Sequence, residues 1–285
     1  MAGELANNPR VQETCLGSFN LEGSDKKISR KFTVDSETGR KWRLKPRKRI
    51  ALLLPSSNTV MEADFWSRLP ENITLHVARM YFTEANLLAE RRMIINYMPI
   101  AVKNLKTLHP DLVIFGCTSG AMLYKHLYGL NLEDKLSKEF GCPVLTVPSA
   151  IREGLKDLGV KRIAVFTPYV KEINDMVFKD LVAQGYIVSG INGMGVEDNL
   201  SMGMIEPEQI LEFVIESLEH LEYEAIFISC TNFRSYDVRD KLAKIIKKPV
   251  FVSNQAVFEK ALKVIKATVE KEKNNNKGGF RKIVK

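Results

Sequence analysis

The stretch Leu112-Val-Ile-Phe-Gly-Cys117-Thr-Ser-Gly-Ala121 decides the fold, because a similar stretch occurs again later in the chain. In this stretch an apolar run is followed by Cys117. The same arrangement occurs in Ala225-Ile-Phe-Ile-Ser-Cys230-Thr-Asn-Phe-Arg234, where an apolar run leads to Cys230. The two cysteines are 113 residues apart, and the same offset relates Lys48-Arg-Ile-Ala51 to Lys161-Arg-Ile-Ala164. We interpret these as two copies of one supersecondary unit, each of which places a Cys-Thr pair at an equivalent position.

Each copy alternates short apolar runs with helical stripes. The run Ile50–Leu54 is continuously apolar, as expected of a strand buried on both faces of a parallel sheet. Apolar residues between Ile94 and Leu108 recur at helical spacing. Strands and helices that alternate in this way indicate right-handed βαβ units. We therefore predict an α/β fold of two pseudo-symmetric parallel-sheet lobes.

The pattern also gives boundaries. It predicts an N-terminal extension (1–48), a first α/β lobe (49–158), a second α/β lobe (159–256), a C-terminal helix (257–272) and a disordered basic tail (273–285).

Short motifs predict where some helices begin. Thr59-Val-Met-Glu62 fits a capping box in which Thr59 caps a helix. Thr118 or Ser119 is expected to cap the helix that follows Cys117. A loop rich in Gly, Asp and Asn is expected up to Met202.

Composition and charge exclude several classes of protein. The chain has 285 residues, 45% hydrophobic and 27% charged, as in ordinary globular proteins. The net charge of the chain is +8, and the positive charge is concentrated at its two ends. Residues 1–49 have a net charge of +6 and residues 273–285 a net charge of +5, so residues 50–272 have a net charge of −3. Nucleic-acid binding is therefore not expected. No apolar run reaches about 18 residues and no signal peptide is recognisable, so we expect no membrane partner and a cytoplasmic location.

The two repeated cysteines are the candidate reactive groups. In open parallel sheets ligands bind beyond the carboxyl ends of the strands, where both cysteines, Ser56–Asn58 and Tyr169 are expected to lie. This predicts one active site in the cleft between the lobes. A helix N-terminus is expected to lower the pKa of such a thiol toward neutrality. Two facing thiols could exchange protons on opposite faces of a substrate carbon, or one could attack as a nucleophile while the other acts as an acid.

Other kinds of site have little support in the sequence. The four histidines show no metal-ligand spacing with the cysteines, so no metal is expected. There is no GxxxxGK[ST] and no GxGxxG motif, which leaves phosphate cradles and dinucleotide cofactors without support. We therefore predict that the protein needs no cofactor.

Over about residues 48–265 the chain resembles the maleate cis–trans isomerases of the aspartate/glutamate racemase superfamily. The resemblance rests on four motifs: Pro55-Ser-Ser-Asn-Thr-Val-Met-Glu62, Cys117-Thr-Ser119, Ser229-Cys-Thr-Asn232 and Ser253-Asn-Gln-Ala256. It implies an aspartate/glutamate racemase-like fold, a small dicarboxylate substrate and isomerisation of maleate to fumarate. Dimers are common in this superfamily, so a homodimer is also expected.

The resemblance implies a role for each residue of the site. Cys117 would add as a thiolate to the double bond of maleate, and Cys230 would supply or take the proton. The substrate-binding side chains that it implies, together with the two serines of the first loop, are Ser56, Ser57, Asn58, Thr118, Ser119, Tyr169, Asn199, Thr231 and Asn232. Without the resemblance, Asn58 and Asn199 could equally serve only turns.

Three alternatives to the isomerase stay open. A racemase of an acidic amino acid would use the same two cysteines as a two-base pair. An arylmalonate-type decarboxylase needs only the second-half cysteine, so Cys117 argues against it. A non-catalytic protein could keep the fold and bind a dicarboxylate, although it would have no need of two intact thiols.

Overall fold

The computed structural model describes residues 47–280, with side chains as far as residue 270. The predicted N-terminal extension, apart from its last two residues, and the end of the predicted basic tail lie outside the described residues. Within the described part, no helix is long and apolar enough to cross a membrane.

Between residues 47 and 280, eight strands form two four-stranded sheets in which every pair is parallel. The strands are β1 (Lys48–Pro55), β2 (Ile73–Met80), β3 (Leu112–Phe115), β4 (Val144–Thr146), β5 (Arg162–Thr167), β6 (Ile187–Gly193), β7 (Ala225–Ile228) and β8 (Val250–Val252). The first sheet has the order β2-β1-β3-β4 and the second has the equivalent order β6-β5-β7-β8.

Helices connect the strands, as parallel pairing requires. They are α1 (Met61–Trp66), α2 (Leu87–Arg92), α3 (Met98–Lys106), α4 (Thr118–Tyr128), α5 (Leu132–Phe140), α6 (Val147–Asp157), α7 (Lys171–Ala183), α8 (Asn199–Met204), α9 (Pro207–Glu216), α10 (Ser235–Ile246) and α11 (Ser253–Phe280). A π-helical turn, Met93–Tyr97, joins α2 to α3.

The pairing register confirms the internal repeat. Ile50 of β1 pairs with Leu112 of β3, and the residues 113 positions later, Ile163 of β5 and Ala225 of β7, pair in the same way. All residues of β3 and β7 are buried, which explains why their sequences are apolar without alternation. The predicted α/β fold with two equivalent parallel-sheet lobes is thereby confirmed.

Some local features differ from the prediction. The loop expected up to Met202 contains the short helix α8, whose N-cap Asp198 accepts a hydrogen bond from the backbone N–H of Ser201. Helix α11 continues to Phe280 instead of ending near 272, because extending an existing helix needs no new nucleation. Helices α5 and α10 were not predicted.

Candidate active site

The strand order brings the predicted residues to two equivalent places. In each sheet the chain leaves the first strand for one neighbour and returns on its other side, so a crevice opens between β1 and β3 and between β5 and β7. Cys117 follows β3 beside the loop Ser56–Asn58, which follows β1. Cys230 follows β7 beside Tyr169, which follows β5.

A buried hydroxyl links the segments that carry the two cysteines. The Thr231 hydroxyl donates to the carbonyl of Gly116 at 3.1 Å, so the residue after Cys230 touches the residue before Cys117. The same hydroxyl accepts a hydrogen bond from Nδ2 of Asn58 at 3.1 Å. Both cysteines are nearly buried, with 6% and 4% of their surfaces exposed. The two halves therefore present their cysteines to one shared interior region.

A polar network continues across the same junction. Nδ2 of Asn199 donates to the Ser57 hydroxyl at 2.8 Å, and the backbone N–H of Thr59 donates to Oδ1 of Asn232 at 2.9 Å. Nδ2 of Asn232 donates to the backbone carbonyl of Asn199. The structure thus brings Ser57, Asn199 and Asn232 into the region that contains Asn58 and Thr231.

Ser56 belongs to the edge of this region. Its hydroxyl donates to the carbonyl of Phe82 at 3.2 Å and accepts from the N–H of Phe82 at 3.0 Å. Because Phe82 follows β2, these bonds fix the first loop to the outer strand of its own sheet. The Ser56 side chain is used to shape the loop rather than to reach the other lobe.

Both predicted helix caps of the first lobe are wrong. The N-cap residue of α1 is Val60, which makes no side-chain cap bond. Asn58 rather than Thr59 binds the backbone there, because its Oδ1 accepts from the N–H groups of Val60 and Met61 at 3.1 and 3.0 Å. Glu62 pairs with Arg79 instead of closing a capping box. In the first cysteine loop, Cys117 itself is the N-cap residue of α4, because its extended backbone (φ −135°, ψ 121°) precedes the first helical residue.

This N-cap position places Cys117 against the start of a helix. A Cβ built on Gly120 would lie 3.1 Å from the Cys117 sulfur, so the absence of a side chain lets the helix approach the thiol closely. The Ser119 hydroxyl lies 3.9 Å from the sulfur. The Gly120 N–H and the Ser119 hydroxyl both lower the pKa of Cys117.

Burial nevertheless dominates the pKa of Cys117, which is raised well above its ordinary value. Glu90 is the second cause, and Cys230 also contributes to the increase. The expectation of a thiol with a pKa near neutrality is therefore wrong for this closed structure, because removal of water outweighs the helix N-terminus. Cys117 is a neutral thiol here, electrostatically coupled to Cys230.

Cys230 is held in a backbone conformation that non-glycine residues rarely adopt. Its φ is 138°, and its N–H donates to the Ser253 hydroxyl at 3.2 Å. The backbone N–H of Asn232 donates to the Cys230 sulfur, also at 3.2 Å. Strain of this kind persists only where surrounding contacts impose it, and it is frequent at functional sites. The hydrogen bonds of this turn therefore hold the Cys230 sulfur in one position.

Tyr169 and Thr118 complete the surroundings of the thiols. Burial raises the pKa of Cys230 to about 11, although the Tyr169 hydroxyl and the Asn232 N–H beside the sulfur lower it. Burial and then the Cys230 charge raise the pKa of Tyr169 well above its ordinary value, so the phenol is a neutral donor. The Thr118 hydroxyl is buried and has no hydrogen-bond partner among the described residues.

The site is closed in this structure. A cavity of about 620 Å³ lies between α2, α4 and α7, but neither cysteine lines it. On the strand-end side, the loop after β2 joins the loop after β6: the Ala85 N–H donates to the Glu197 carbonyl at 2.7 Å, and the Asn199 N–H to the Thr83 carbonyl at 2.8 Å. Access to the thiols therefore requires movement of the surrounding chain.

Three residues next to the cysteines were not predicted. Ser253 binds the backbone of Cys230, and Nδ2 of Asn254 donates to the Thr231 carbonyl at 3.1 Å. Both belong to a motif that the sequence analysis noted only as a resemblance. Glu90 lies on α2 with 0% exposure. Extending the helical stripe backwards from Ile94 by four residues reaches Glu90, so periodicity could have marked it as buried.

The described residues show no grouping of three or more His, Cys, Asp and Glu side chains able to hold a metal ion. All the predicted site side chains are thiols, hydroxyls, a phenol or carboxamides. At these side chains an anionic substrate must therefore be bound by neutral hydrogen-bond donors, together with N–H groups of the first turn of α4.

Replacement of Thr231 by valine should test the junction between the halves. The substitution keeps the shape but leaves the Gly116 carbonyl and the Asn58 amide without partners. We expect the free energy of unfolding to fall by about 1–3 kcal/mol for each group left unpaired, measured by urea denaturation. Thr107→Val, which removes an exposed hydroxyl bound to the Asn104 carbonyl, is the matched control. Equal losses in both variants would contradict this role of Thr231.

Replacement of Glu90 by glutamine should change how stability depends on pH. Burial raises the pKa of Glu90 from 4.5 to about 8. Between these values the folded state binds the proton more tightly, so the free energy of unfolding of the native protein falls by about 1.4 kcal/mol per pH unit. Denaturation from pH 4.5 to 9 should show the variant gaining relative to the native protein as pH rises. A constant difference would contradict a neutral buried carboxyl.

Comparison with known proteins identifies the family of this chain. The family model described as arylmalonate decarboxylase matches residues 93–277. A maleate isomerase of Alcaligenes faecalis is 30% identical over 217 residues, which cover 71% of this chain and 85% of that protein.

Two solved structures share the fold. Nocardia farcinica maleate cis-trans isomerase bound to TRIS has a TM-score of 0.71 at 22% identity, covering 77% of this chain and 92% of that chain. A cysteine-to-serine mutant of the Nocardia farcinica enzyme, with a covalently bound succinylcysteine intermediate, has a TM-score of 0.70 at 22% identity. The match covers 77% of this chain and 93% of that chain. The chain therefore belongs to the arylmalonate decarboxylase family and, within it, to the maleate cis–trans isomerases, which makes it an isomerase.

Proposed function

We propose that the protein converts maleate to fumarate without a cofactor, using Cys117 and Cys230 together. The observation that carries this proposal is the Thr231 hydroxyl on the Gly116 carbonyl, which brings the two cysteine loops into contact inside one polar region. Neither lobe alone supplies both Cys117 and Cys230. The duplicated unit is explained if the reaction needs a sulfur from each half.

The reaction begins at Cys117. Its proton leaves to the medium, and the thiolate forms an S–C bond to one alkene carbon of maleate. The electron pair of the double bond moves to the other alkene carbon and its carboxylate, giving an enediolate. Backbone N–H groups at the start of α4 and neutral donors around the thiols stabilise this charge, which is where most of the rate enhancement should arise.

Cys230 completes the reaction on the other alkene carbon. Its S–H bond breaks as the proton passes to the enediolate carbon, so the former double bond becomes a single bond that can rotate. The Cys230 thiolate then removes a proton from that carbon, the S–C bond to Cys117 breaks, and fumarate leaves. Cys117 is again a thiolate and Cys230 again a thiol, so no external reductant or cofactor is consumed.

Neutral donors suit a substrate that carries two negative charges. We propose that Asn58, Tyr169 and Asn199 bind the carboxylates, with Thr118, Ser119, Thr231 and Asn232 beside the thiols and Ser56 and Ser57 in the adjoining loop. In the closed structure the Asn58 and Asn199 amides are bound to Thr231 and Ser57. Substrate binding must therefore exchange these bonds for bonds to carboxylate oxygens, whereas the Thr118 hydroxyl has no hydrogen-bond partner within residues 47–280.

Two properties of the relatives support the proposal. The Alcaligenes faecalis relative is named a maleate isomerase. The Nocardia farcinica mutant holds a succinylcysteine, which is the product expected when a cysteine adds to maleate and the neighbouring carbon gains a proton. A cytoplasmic location and a homodimer stay predictions from the sequence.

Decarboxylation of an arylmalonate is the second candidate, because the matching family model carries that description. The two candidates make different demands on the first cysteine. The isomerase needs Cys117 as the nucleophile, whereas the decarboxylase reaction needs only the cysteine of the second half. The effect of removing Cys117 therefore separates them.

The experiment follows products by proton NMR. Purified protein is incubated with maleate, with phenylmalonate, and with L-aspartate or L-glutamate in D2O. We expect fumarate from maleate, no loss of carbon dioxide from phenylmalonate and no exchange at Cα of the amino acids. EDTA should not change the rate, since no metal takes part. Exchange at Cα without fumarate would replace the proposal by a racemase, and no turnover of any substrate would favour a binding protein.

A further inference from the structure

Glu90 is a buried carboxyl group to which the proposed reaction gives no role. Its side chain is 0% exposed, and neither carboxylate oxygen has a hydrogen-bond partner among the described residues. An ionised carboxylate in such a place is very unfavourable, so the group takes up a proton instead. At neutral pH Glu90 is therefore a carboxylic acid, which has an O–H group to donate.

The position of α2 directs this group toward Cys117. Met93, one helical turn beyond Glu90, lies against Gly120, because a Cβ built on Gly120 would be 3.0 Å from the Met93 methyl carbon and 3.1 Å from the Cys117 sulfur. Ser119 precedes Gly120 in α4, and its hydroxyl is near enough to Glu90 to lower the Glu90 pKa, although the two groups are outside hydrogen-bond geometry in this structure. The order in space is thus Glu90, the Ser119 hydroxyl, and the Cys117 sulfur at 3.9 Å from that hydroxyl.

A serine hydroxyl has one proton to donate, and its direction depends on its other partners. If the Ser119 oxygen accepts a hydrogen bond from an acid, its own proton is left for the sulfur. Hydrogen bonds to an ionised group are roughly twice as strong as neutral ones, so a donor aimed at the sulfur favours the thiolate over the thiol. An ionised Glu90 would do the opposite, because it would accept the Ser119 proton and repel the sulfur.

We propose that the carboxylic acid of Glu90 donates a hydrogen bond to the Ser119 hydroxyl and thereby directs the Ser119 O–H group toward the Cys117 sulfur. Glu90 is then a positioning residue for the thiolate. The inference rests on the proposed function, since it assumes that the Cys117 thiolate is the reactive species. It adds a dependence on pH, because the arrangement lasts only while Glu90 keeps its proton.

The pKa of Glu90 is set by burial and by two neighbouring side chains, Glu172 and Ser119. Burial is the main cause of its raised pKa, which is about 8, and Glu172 on α7 adds repulsion. The Ser119 hydroxyl acts in the opposite direction. Glu90 in turn raises the pKa values of Cys117 and Cys230. Further charged side chains line the neighbouring cavity between α2, α4 and α7, namely Lys125, His126, Asp175, Lys179 and Asp180.

The test measures thiolate formation directly, without substrate. The native protein, Glu90→Gln and Glu90→Ala are treated with iodoacetamide between pH 6 and 10, and alkylation of Cys117 is followed by mass spectrometry of its peptide. Cys142 provides an internal control in every sample, because it is a free, half-buried thiol whose pKa responds to burial and Asp111 rather than to Glu90. The glutamine NH₂ group can still donate to Ser119 but cannot ionise.

The expected pattern separates a positioning role from simple packing. At pH 7, Glu90→Ala should lower the alkylation rate of Cys117 by about tenfold, and Glu90→Gln should restore it. Above pH 8 the rate of the native protein should level off while that of Glu90→Gln keeps rising, reaching a difference of about tenfold near pH 9. Identical pH profiles for the native protein and Glu90→Gln, or equal losses in both variants, would overturn the proposal.

This result is independent of the substrate. Iodoacetamide reports the thiolate whether or not maleate is turned over. The expected alkylation profile without fumarate formation would contradict the proposed function and leave the role of Glu90 standing. Fumarate formation together with identical alkylation profiles for the native protein and Glu90→Gln would support the proposed function and contradict the role of Glu90.

Discussion

Replacement of Cys117 by alanine should abolish conversion of maleate to fumarate, with a loss of about 10⁴-fold or more in kcat. The expected size follows from loss of the nucleophile, because the remaining donors can bind maleate but cannot form the S–C bond that permits rotation. The measurement is the appearance of fumarate by proton NMR under saturating maleate. The fold should be preserved, since alanine is tolerated at a helix N-cap at a cost of only about 1 kcal/mol.

The matched control for this variant is Cys142→Ala. Cys142 is a free cysteine that takes no part in the polar network, so its removal should leave the rate of fumarate formation unchanged. A comparable loss in both variants would indicate general damage rather than loss of a nucleophile. Turnover that survives in Cys117→Ala would contradict the two-cysteine mechanism and favour a reaction that uses Cys230 alone.

Replacement of Cys230 by serine should stop the reaction at a later step. A hydroxyl is a far weaker acid than a thiol, so the group that exchanges the proton is lost while Cys117 can still add to the double bond. We expect kcat to fall by about 10²–10⁴-fold. Water then supplies the proton to the enediolate slowly, and without the Cys230 thiolate nothing removes it again, so the succinyl adduct accumulates. The intact mass of the protein should increase by one maleic acid, and peptide analysis should place the adduct on Cys117.

The double variant controls for adventitious modification. With Cys117→Ala combined with Cys230→Ser, incubation with maleate should leave the mass unchanged even though Cys15 and Cys142 are still present. An adduct on Cys142, or an unmodified protein in the Cys230→Ser single variant, would contradict the order of steps that we propose.

The fold and the meeting of the cysteines could be predicted from the sequence because both depend on long-range repetition. A shared offset over two apolar runs indicates equivalent strands, and parallel strands place their carboxyl ends on one edge. The structure shows this offset in its strand pairing, because Ile50 pairs with Leu112 and Ile163 pairs with Ala225. No local propensity was needed for this conclusion.

The helix caps and the state of the thiols could not be predicted in the same way. Thr59 and Thr118 have good capping side chains, but tertiary contacts decide which group is used: Thr59 gives its N–H to Asn232, and the Asn58 side chain accepts from the N–H groups of Val60 and Met61. The pKa of Cys117 depends on how completely water is excluded, which no short motif records. A helix N-terminus alone therefore predicted the wrong direction of the shift.

Glu90 shows a further limit of the sequence. A glutamate followed by two arginines in a helix is usually solvated, and nothing in the motif around it indicates chemistry. Its importance arises from the packing of α2 against α4, which places a carboxyl with no partner beside Ser119. Only the three-dimensional structure brings these groups together.

The central claim is that sulfur atoms from both halves act on the two alkene carbons of one dicarboxylate. A crystal structure of Cys230→Ser soaked with maleate tests it most directly. We predict continuous density from the Cys117 sulfur to one carbon of a succinyl group, with the hydroxyl introduced at position 230 within about 3–3.5 Å of the adjacent carbon. Density for maleate away from Cys117, or a position 230 that faces away from the adduct, would contradict the account.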